Sequence, residues 1–172
     1  MSTRHGEIIR LSDGTILGSA TDLHNISVSA GSSKLIAFVD QEKDSARVGI
    51  LDEKLHEIAT VVVDGEVTRL RELNGRLWAV TPGGMTTWKI ASGGLSDAQK
   101  IRVRGALDID MVGPNTYAIA GTFGRALYRL EADESGPGDE FFATTREAGR
   151  LERILSDGRR IVGGSDEGNW IC

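Results

Sequence analysis

The chain has 172 residues, of which 40% are hydrophobic, and this is enough for a single domain with a core of its own. Its 22 glycines and only 3 prolines exclude collagen, a coiled coil and simple disorder. The formal charge of −5, from 20 basic and 25 acidic residues, argues against nucleic acid and anionic membranes as partners, because both need clustered positive charge.

The start of the chain, MSTRHGEIIR, lacks the apolar stretch of a secretory signal, and no run approaches the ~20 apolar residues that span a membrane. The one cysteine, Cys172, excludes an intramolecular disulfide. We therefore expect a soluble protein of the cell interior, in the cytoplasm.

Short apolar or β-branched runs, separated by Gly, Asp, Asn and Ser, follow one another along the chain. No long segment has a sustained helical period, so the pattern predicts many short strands joined by tight turns. In chain order the runs read EIIRL, TILGSA, ISVSA, KLIAFV, RVGIL, EIATVVV, VTRL, RLWAV, TTWKI, KIRV, TYAIAG, ALYRL and RRIVGG.

A repeat of about 40 residues organises these strands. Three copies begin at Gly65, Gly105 and Gly149, and a fourth, less regular copy begins near His24. Each copy has an alternating strand, a turn, a strand of small residues, a second turn and a strand with an aromatic residue, and a fourth strand follows in the complete copies. We expect one all-β domain over 1–172, with repeats at 24–64, 65–104, 105–148 and 149–172 plus 6–22.

Four-stranded antiparallel units at this spacing resemble the WD-repeat superfamily of β-propellers, and GRRIVGGSDEGNWIC is the segment most similar to that family. The sequence has neither the Trp-Asp dipeptide nor the Gly-His pair, so the family's hydrogen-bond network among those residues is not expected here. The resemblance implies a rigid propeller that offers its turns to protein partners.

The two ends of the chain leave the closure of this propeller open. The repeat from Gly149 lacks a fourth strand, and TILGSATD, within 6–22, is placed to supply it and remove an exposed sheet edge. Alternatively, because LSDG occurs at both Leu11 and Leu155, the N-terminal segment forms the first two strands of its own blade. A third alternative is a larger ring shared by two chains, which would make the protein a homodimer.

The sequence contains no phosphate-binding loop, no nucleophile motif and no histidine or cysteine spacing typical of a metal site, so we expect no cofactor, no metal and no catalytic residue. The one polar constellation lies on first strands, which we expect to line the central channel. Asp108 and Asp110 share one face of ALDIDMV, while Arg69 and Arg71 share a face of EVTRLRE, and Arg153 lies between Leu151 and Leu155. These residues are either inter-blade ion pairs or a polar binding site.

The aromatic residues are better explained by packing. Trp88, Tyr128 and Trp170 recur at one position of the repeat, which predicts contacts between blades, and Trp78 occupies a second-strand position typical of the core.

Three hypotheses on function follow. The first is a non-catalytic protein-interaction module or scaffold subunit. The second is an enzyme of hydrolase or lyase type that uses Asp108, Asp110 and neighbouring arginines at the channel. The third is a half-ring that functions only when it is assembled with another chain.

Overall fold

The structure is a computed structural model of the chain. It describes the backbone of residues 7–9, 16–19, 26–30, 35–52, 54–91, 94–129, 141–145, 150–157, 160–165 and 168–171, and side chains within 35–52, 54–91, 94–125, 150–157 and 160–164. The side chains of Tyr128 and Trp170 therefore lie outside the described part.

The regular elements of the described residues are all β-strands. Short strands follow from the sequence, because Gly, Asp and Asn interrupt each apolar run before it exceeds eight residues. Within the described ranges, no helix is long and apolar enough to cross a membrane.

The strands form separate antiparallel sheets, each built from neighbours in sequence. Their bounds are β1 Glu7–Ile9, β2 Ile16–Ser19, β3 Ile26–Ala30, β4 Ile36–Gln41, β5 Ser45–Leu51, β6 Glu57–Asp64, β7 Arg69–Leu73, β8 Arg76–Thr81, β9 Gly84–Ala91, β10 Gly94–Ile101, β11 Ala106–Gly113, β12 Thr116–Gly121, β13 Gly124–Arg129, β14 Phe141–Thr145, β15 Arg153–Ser156, β16 Ile161–Ser165 and β17 Gly168–Ile171. The sheets are β1–β2, β3–β6, β7–β10, β11–β14 and β15–β17, and in each the strands lie in chain order.

The predicted fold class is confirmed in its main point: the chain is all-β and built from four-stranded antiparallel repeats. The sheets β3–β6, β7–β10 and β11–β14 each fall inside one predicted repeat. The periodicity succeeds because each repeat carries its own turns, and a strand paired with its sequence neighbour closes only a short loop.

The N-terminal segment contains two strands that pair with each other. Strand β2 pairs with β1, and the sheet β15–β17 has three strands among the described residues. This pairing is the one that the alternative predicts for the segment 6–22, and completion of the repeat from Gly149 by that segment stays a prediction. The physical reason is local: β1 and β2 are close in sequence, so their pairing costs little loop-closure entropy.

The chain divides into two compact units, residues 1–79 with 87–98, and residues 80–86 with 99–172. The core of the first unit lies between sheets β3–β6 and β7–β10, where alternate strand residues meet. Trp88 belongs to this core, as its repeat position predicts, and the other buried members of the cluster are Ala37, Val39, Ala46, Val48, Ile50, Val63, Leu70, Leu77 and Ala79. The predicted core position of Trp78 is also confirmed, since its side chain is fully buried.

The core of the second unit lies between sheets β11–β14 and β15–β17. Small residues on β12, Ala118 and Ala120, pack against Leu151 and Ile154 beside the first strand of the next sheet. All four side chains are fully buried. The small alanine side chains allow the two sheets to approach closely, as interdigitating sheets require.

Backbone hydrogen bonds tie the segments between sheets to earlier turns within the second unit. The N–H of Gly105 donates to the carbonyl of Pro82 at 3.0 Å, and the N–H of Leu151 donates to that of Gly121 at 2.9 Å. Gly105 has φ +77°, and a Cβ there would overlap the hydroxyl of Thr122. Only glycine fits this position, so the start of β11 is fixed by backbone geometry.

In the first unit, a glutamine side chain ties a segment between sheets to an earlier turn. The amide nitrogen of Gln41 donates to the carbonyl of Ser45 at 2.8 Å, and its amide oxygen accepts the N–H of Val67 at 2.9 Å. The side chain therefore joins the β4–β5 turn to the segment that leads into β7. The sequence analysis missed this role, since a single glutamine before a turn carries no distinctive signal.

Candidate functional site

The predicted carboxylate pair lies on β11, the first strand of its sheet, in a more enclosed setting than a channel wall. Asp108 is fully buried, Asp110 is half-buried, and Ile109 between them is fully buried. Both faces of the strand are therefore covered at this point, whereas the sequence predicted a polar face towards the channel. The neighbouring strand β15 meets β11 here through hydrogen bonds from Ile154 and Ser156 to the two aspartates. Ile154, with Leu151 before that strand, also packs with Ala118 and Ala120 of β12.

Both carboxylates accept hydrogen bonds from the backbone of β15. Oδ2 of Asp108 accepts the N–H of Ile154 at 3.1 Å, and Oδ2 of Asp110 accepts the N–H of Ser156 at 2.7 Å. Each Oδ1 accepts the N–H of the following residue, Ile109 at 3.0 Å and Met111 at 2.9 Å. All four carboxylate oxygens are thus engaged with backbone N–H groups.

The spacing of these bonds follows from the geometry of β15. Its pairing with β16 places Asp157 opposite Arg160, with the N–H of Asp157 donating to the Arg160 carbonyl at 3.3 Å. Because bonded and non-bonded positions alternate in an antiparallel ladder, the N–H groups of Ile154 and Ser156 point away from β16. Two aspartates at alternate positions of β11 meet these two N–H groups, so the Asp-x-Asp pattern matches the two-residue period of a strand edge.

The arginines of the predicted constellation lie elsewhere on first strands. Arg69 and Arg71 are on β7, in the first unit, and both are half-buried with the buried Leu70 between them. Arg153 is on β15, in the second unit, and is exposed on the same strand face as Leu155, which is 56% exposed. The structure therefore places Asp108 and Asp110 together against β15 and places Arg153 on an exposed face of that strand.

Other polar clusters are small. Asp52, between β5 and β6, accepts the N–H groups of Lys54 and His56, both at 2.8 Å, and its second oxygen lies 3.3 Å from Nδ1 of His56. The hydrogen bond from the His56 backbone holds the pKa of Asp52 below its ordinary value. The searched part of the chain, the described residues, contains no group of three or more His, Cys, Asp or Glu that could hold a metal ion.

A charged pair on the sheet β7–β10 has no signal in the sequence. Arg76 on β8 donates from Nη1 to Oδ2 of Asp97 on β10 at 2.9 Å, and from Nη2 to the Asp97 carbonyl at 2.8 Å. Its Nε donates to the hydroxyl of Thr87 at 3.2 Å. The two charges are 21 residues apart, and only the strand order brings them together.

No family model matches the sequence, and no curated protein matches it significantly. Several solved structures are similar to the chain in fold. Hsv2 of Kluyveromyces lactis has a TM-score of 0.71 at 16% identity over 99% of this chain and 55% of its own. A structure titled AfRom2 CNH domain has a TM-score of 0.57 at 11% identity over 94% of this chain and 57% of its own.

These similarities concern the fold alone, because the identities are low. The chain spans about half the length of the solved structures that it matches. Hsv2 is a β-propeller of the WD40-like type. The sheets described above are therefore blades of a propeller-type fold.

Proposed function

We propose that the chain is a non-catalytic protein-interaction module, the first of the three hypotheses from the sequence. The observation that carries the proposal is the use of Asp108 and Asp110. An acid–base pair needs oxygens that reach a substrate. Here each oxygen accepts a backbone N–H, and Asp108 is fully buried. Asp108 and Asp110, the best candidates for acid–base chemistry, therefore have a structural role.

A propeller of this kind offers rigid turns to a partner, which is the usual basis of binding on such a scaffold. Membership of the WD-repeat superfamily belongs to the same proposal, and it is supported by the repeat and by the propeller neighbours. The protein partner itself, and a location in the cytoplasm, also remain proposals.

The test is to capture partners of the full chain, purify the main one, and measure the binary interaction by calorimetry. We expect saturable binding with a fixed stoichiometry. Asp110→Asn serves as the matched control and should bind as well as the wild type, because its carboxylate faces β15. Failure to isolate any partner that binds in purified form, together with a turnover that Asp110→Asn abolishes, would instead favour the hydrolase or lyase alternative.

A further inference from the structure

Strand β6 presents an unusual edge. It is the outer strand of its sheet, and no charged residue occurs between Ile58 and Val63. Val62 is 72% exposed, the largest value among the exposed large hydrophobic side chains that the structure describes. Proteins usually blunt such an edge with charge, proline or a bulge, because its free backbone groups recruit another strand. The register shift of the β5–β6 ladder falls at its beginning, opposite Leu51, and leaves the later residues regular.

The ladder also determines which backbone groups of β6 face outward. The N–H of Gly65 donates to the carbonyl of Asp44 at 2.9 Å, directly before the pair of Ser45 with Asp64. Hydrogen-bonded and non-bonded pairs alternate in an antiparallel ladder, so the odd-numbered positions bond to β5. The N–H and C=O groups of Thr60, Val62 and Asp64 therefore point to the free edge, and no hydrogen bond to them is recorded within the described residues.

The outer strand of the next sheet, β10, is protected against this kind of pairing. Asp97 interrupts it with φ +50°, a left-handed conformation that breaks a regular strand. Arg76 covers the same residue by bonding both its carboxylate and its carbonyl. Beyond its first residues, β6 has neither a left-handed residue nor, within the described residues, a side chain like Arg76 that covers its edge.

We infer that β6 pairs antiparallel with β6 of a second copy of this chain, with Val62 facing Val62 across the two-fold axis. This inference concerns the assembly of the chain with itself and does not rest on the proposed function. It adds an interface at a strand edge, which differs from a ring completed by shared blades.

The register follows from hydrogen bonding. Outward-facing positions must oppose outward-facing positions. Among the registers that satisfy this rule, we choose the one in which Val62 opposes its own copy, so that Thr60 opposes Asp64 of the second copy. This register uses only the regular part of β6 and forms roughly six inter-chain hydrogen bonds. It also brings Val62, which is 72% exposed in the single chain, against its own copy. The strand is therefore complementary to itself in its outward backbone groups and at Val62.

The first experiment measures the mass of the full chain by light scattering over a wide range of concentration. We expect the wild type to approach twice the 18.5 kDa of one chain. Val62→Lys should give the monomer, because two ammonium groups would meet at the axis. Ala98→Lys adds the same charge to an exposed position of β10 and should keep the dimer.

The second experiment tests the register by cysteine crosslinking in a Cys172→Ser background. Directly opposed residues have Cα atoms about 5.5 Å apart, within the range of a disulfide. Val62→Cys should therefore form a covalent dimer on mild oxidation. Thr60→Cys should not, because the two copies of residue 60 would lie about 14 Å apart.

A monomeric wild type at all concentrations would overturn the inference. So would a dimer that survives Val62→Lys, or Thr60→Cys crosslinking as readily as Val62→Cys. Since Val62 is largely exposed, the lysine variant should keep the circular dichroism spectrum and the cooperative unfolding of the wild type, which shows that loss of the dimer is not loss of the fold.

Discussion

The inner edge of β15 and the outer edge of β6 offer the same backbone groups, and they differ in what meets them. At β15, alternate N–H groups are met by the carboxylates of Asp108 and Asp110 from the neighbouring sheet. At β6, the alternate groups of Thr60, Val62 and Asp64 have no recorded partner within the described residues. The inner edge is sealed by side chains, and the outer edge is open to another strand.

In this repeat protein, the inner and outer edges of a sheet satisfy their backbone hydrogen bonds in different ways. A blade is a sheet of only a few strands, so two of them are edge strands. The backbone groups of each edge strand must be paired, capped by side chains or exposed to water. An inner edge is buried, where an unsatisfied N–H is costly, and aspartates cap it. An outer edge is solvated, so water can satisfy it, and it remains available for assembly.

The largest expected effect comes from removing the seal at the buried position. Asp108→Ala leaves the N–H groups of Ile109 and Ile154 buried without their acceptor, and we expect a loss of about 2–4 kcal/mol in the free energy of unfolding. Urea denaturation measures it. The matched control is Asp110→Ala, which removes the same kind of bonds at a half-buried site. Water can replace that carboxylate, so about 1–2 kcal/mol is expected. Equal losses for both variants would mean that burial does not set the cost of an unsealed edge.

A smaller effect is expected at the protected outer edge of β10. Asp97→Ala removes the carboxylate that Arg76 binds, and we expect a loss of about 0.5–1 kcal/mol, because the carboxylate is half-exposed. Asp97→Gly removes the same carboxylate and tolerates the positive φ, so it should cost less than alanine. Thermal unfolding of the two variants distinguishes the ion pair from the backbone strain. If glycine proved the more damaging, the left-handed conformation would not be the source of the difference.

The smallest effect is expected at Asp52, which caps backbone N–H groups in solvent. Its folded-state pKa lies below the ordinary value of 3.8, mainly because of the hydrogen bond from the His56 backbone. The stabilisation is therefore present above that ordinary value and is lost as the pH falls through the folded-state pKa. A carboxyl titration followed by NMR should give an Asp52 pKa below 3.8. In Asp52→Asn, the slight pH dependence of this loop should disappear, and a titration at or above 3.8 in the wild type would contradict the capping.

Several parts of this arrangement could be predicted from the sequence, for identifiable reasons. The period of about 40 residues and the turn residues predict the strands and their grouping, because neighbouring strands pair locally. The buried positions of Trp78 and Trp88 follow from their place in the repeat. The role of Asp108 could not be predicted, because its partner Ile154 lies 46 residues away and is a backbone group, which has no sequence signature.

The all-β class, the four-stranded repeat and the shared strand face of Asp108 and Asp110 follow from the amino-acid sequence, since these features depend on local alternation and on turns. The use of the two carboxylates at the edge of β15, the contact of Arg76 with Asp97 and the open edge of β6 emerge only in the three-dimensional arrangement. Those features depend on which strands become neighbours and on how deeply each is buried, and such long-range packing is not encoded in any local pattern.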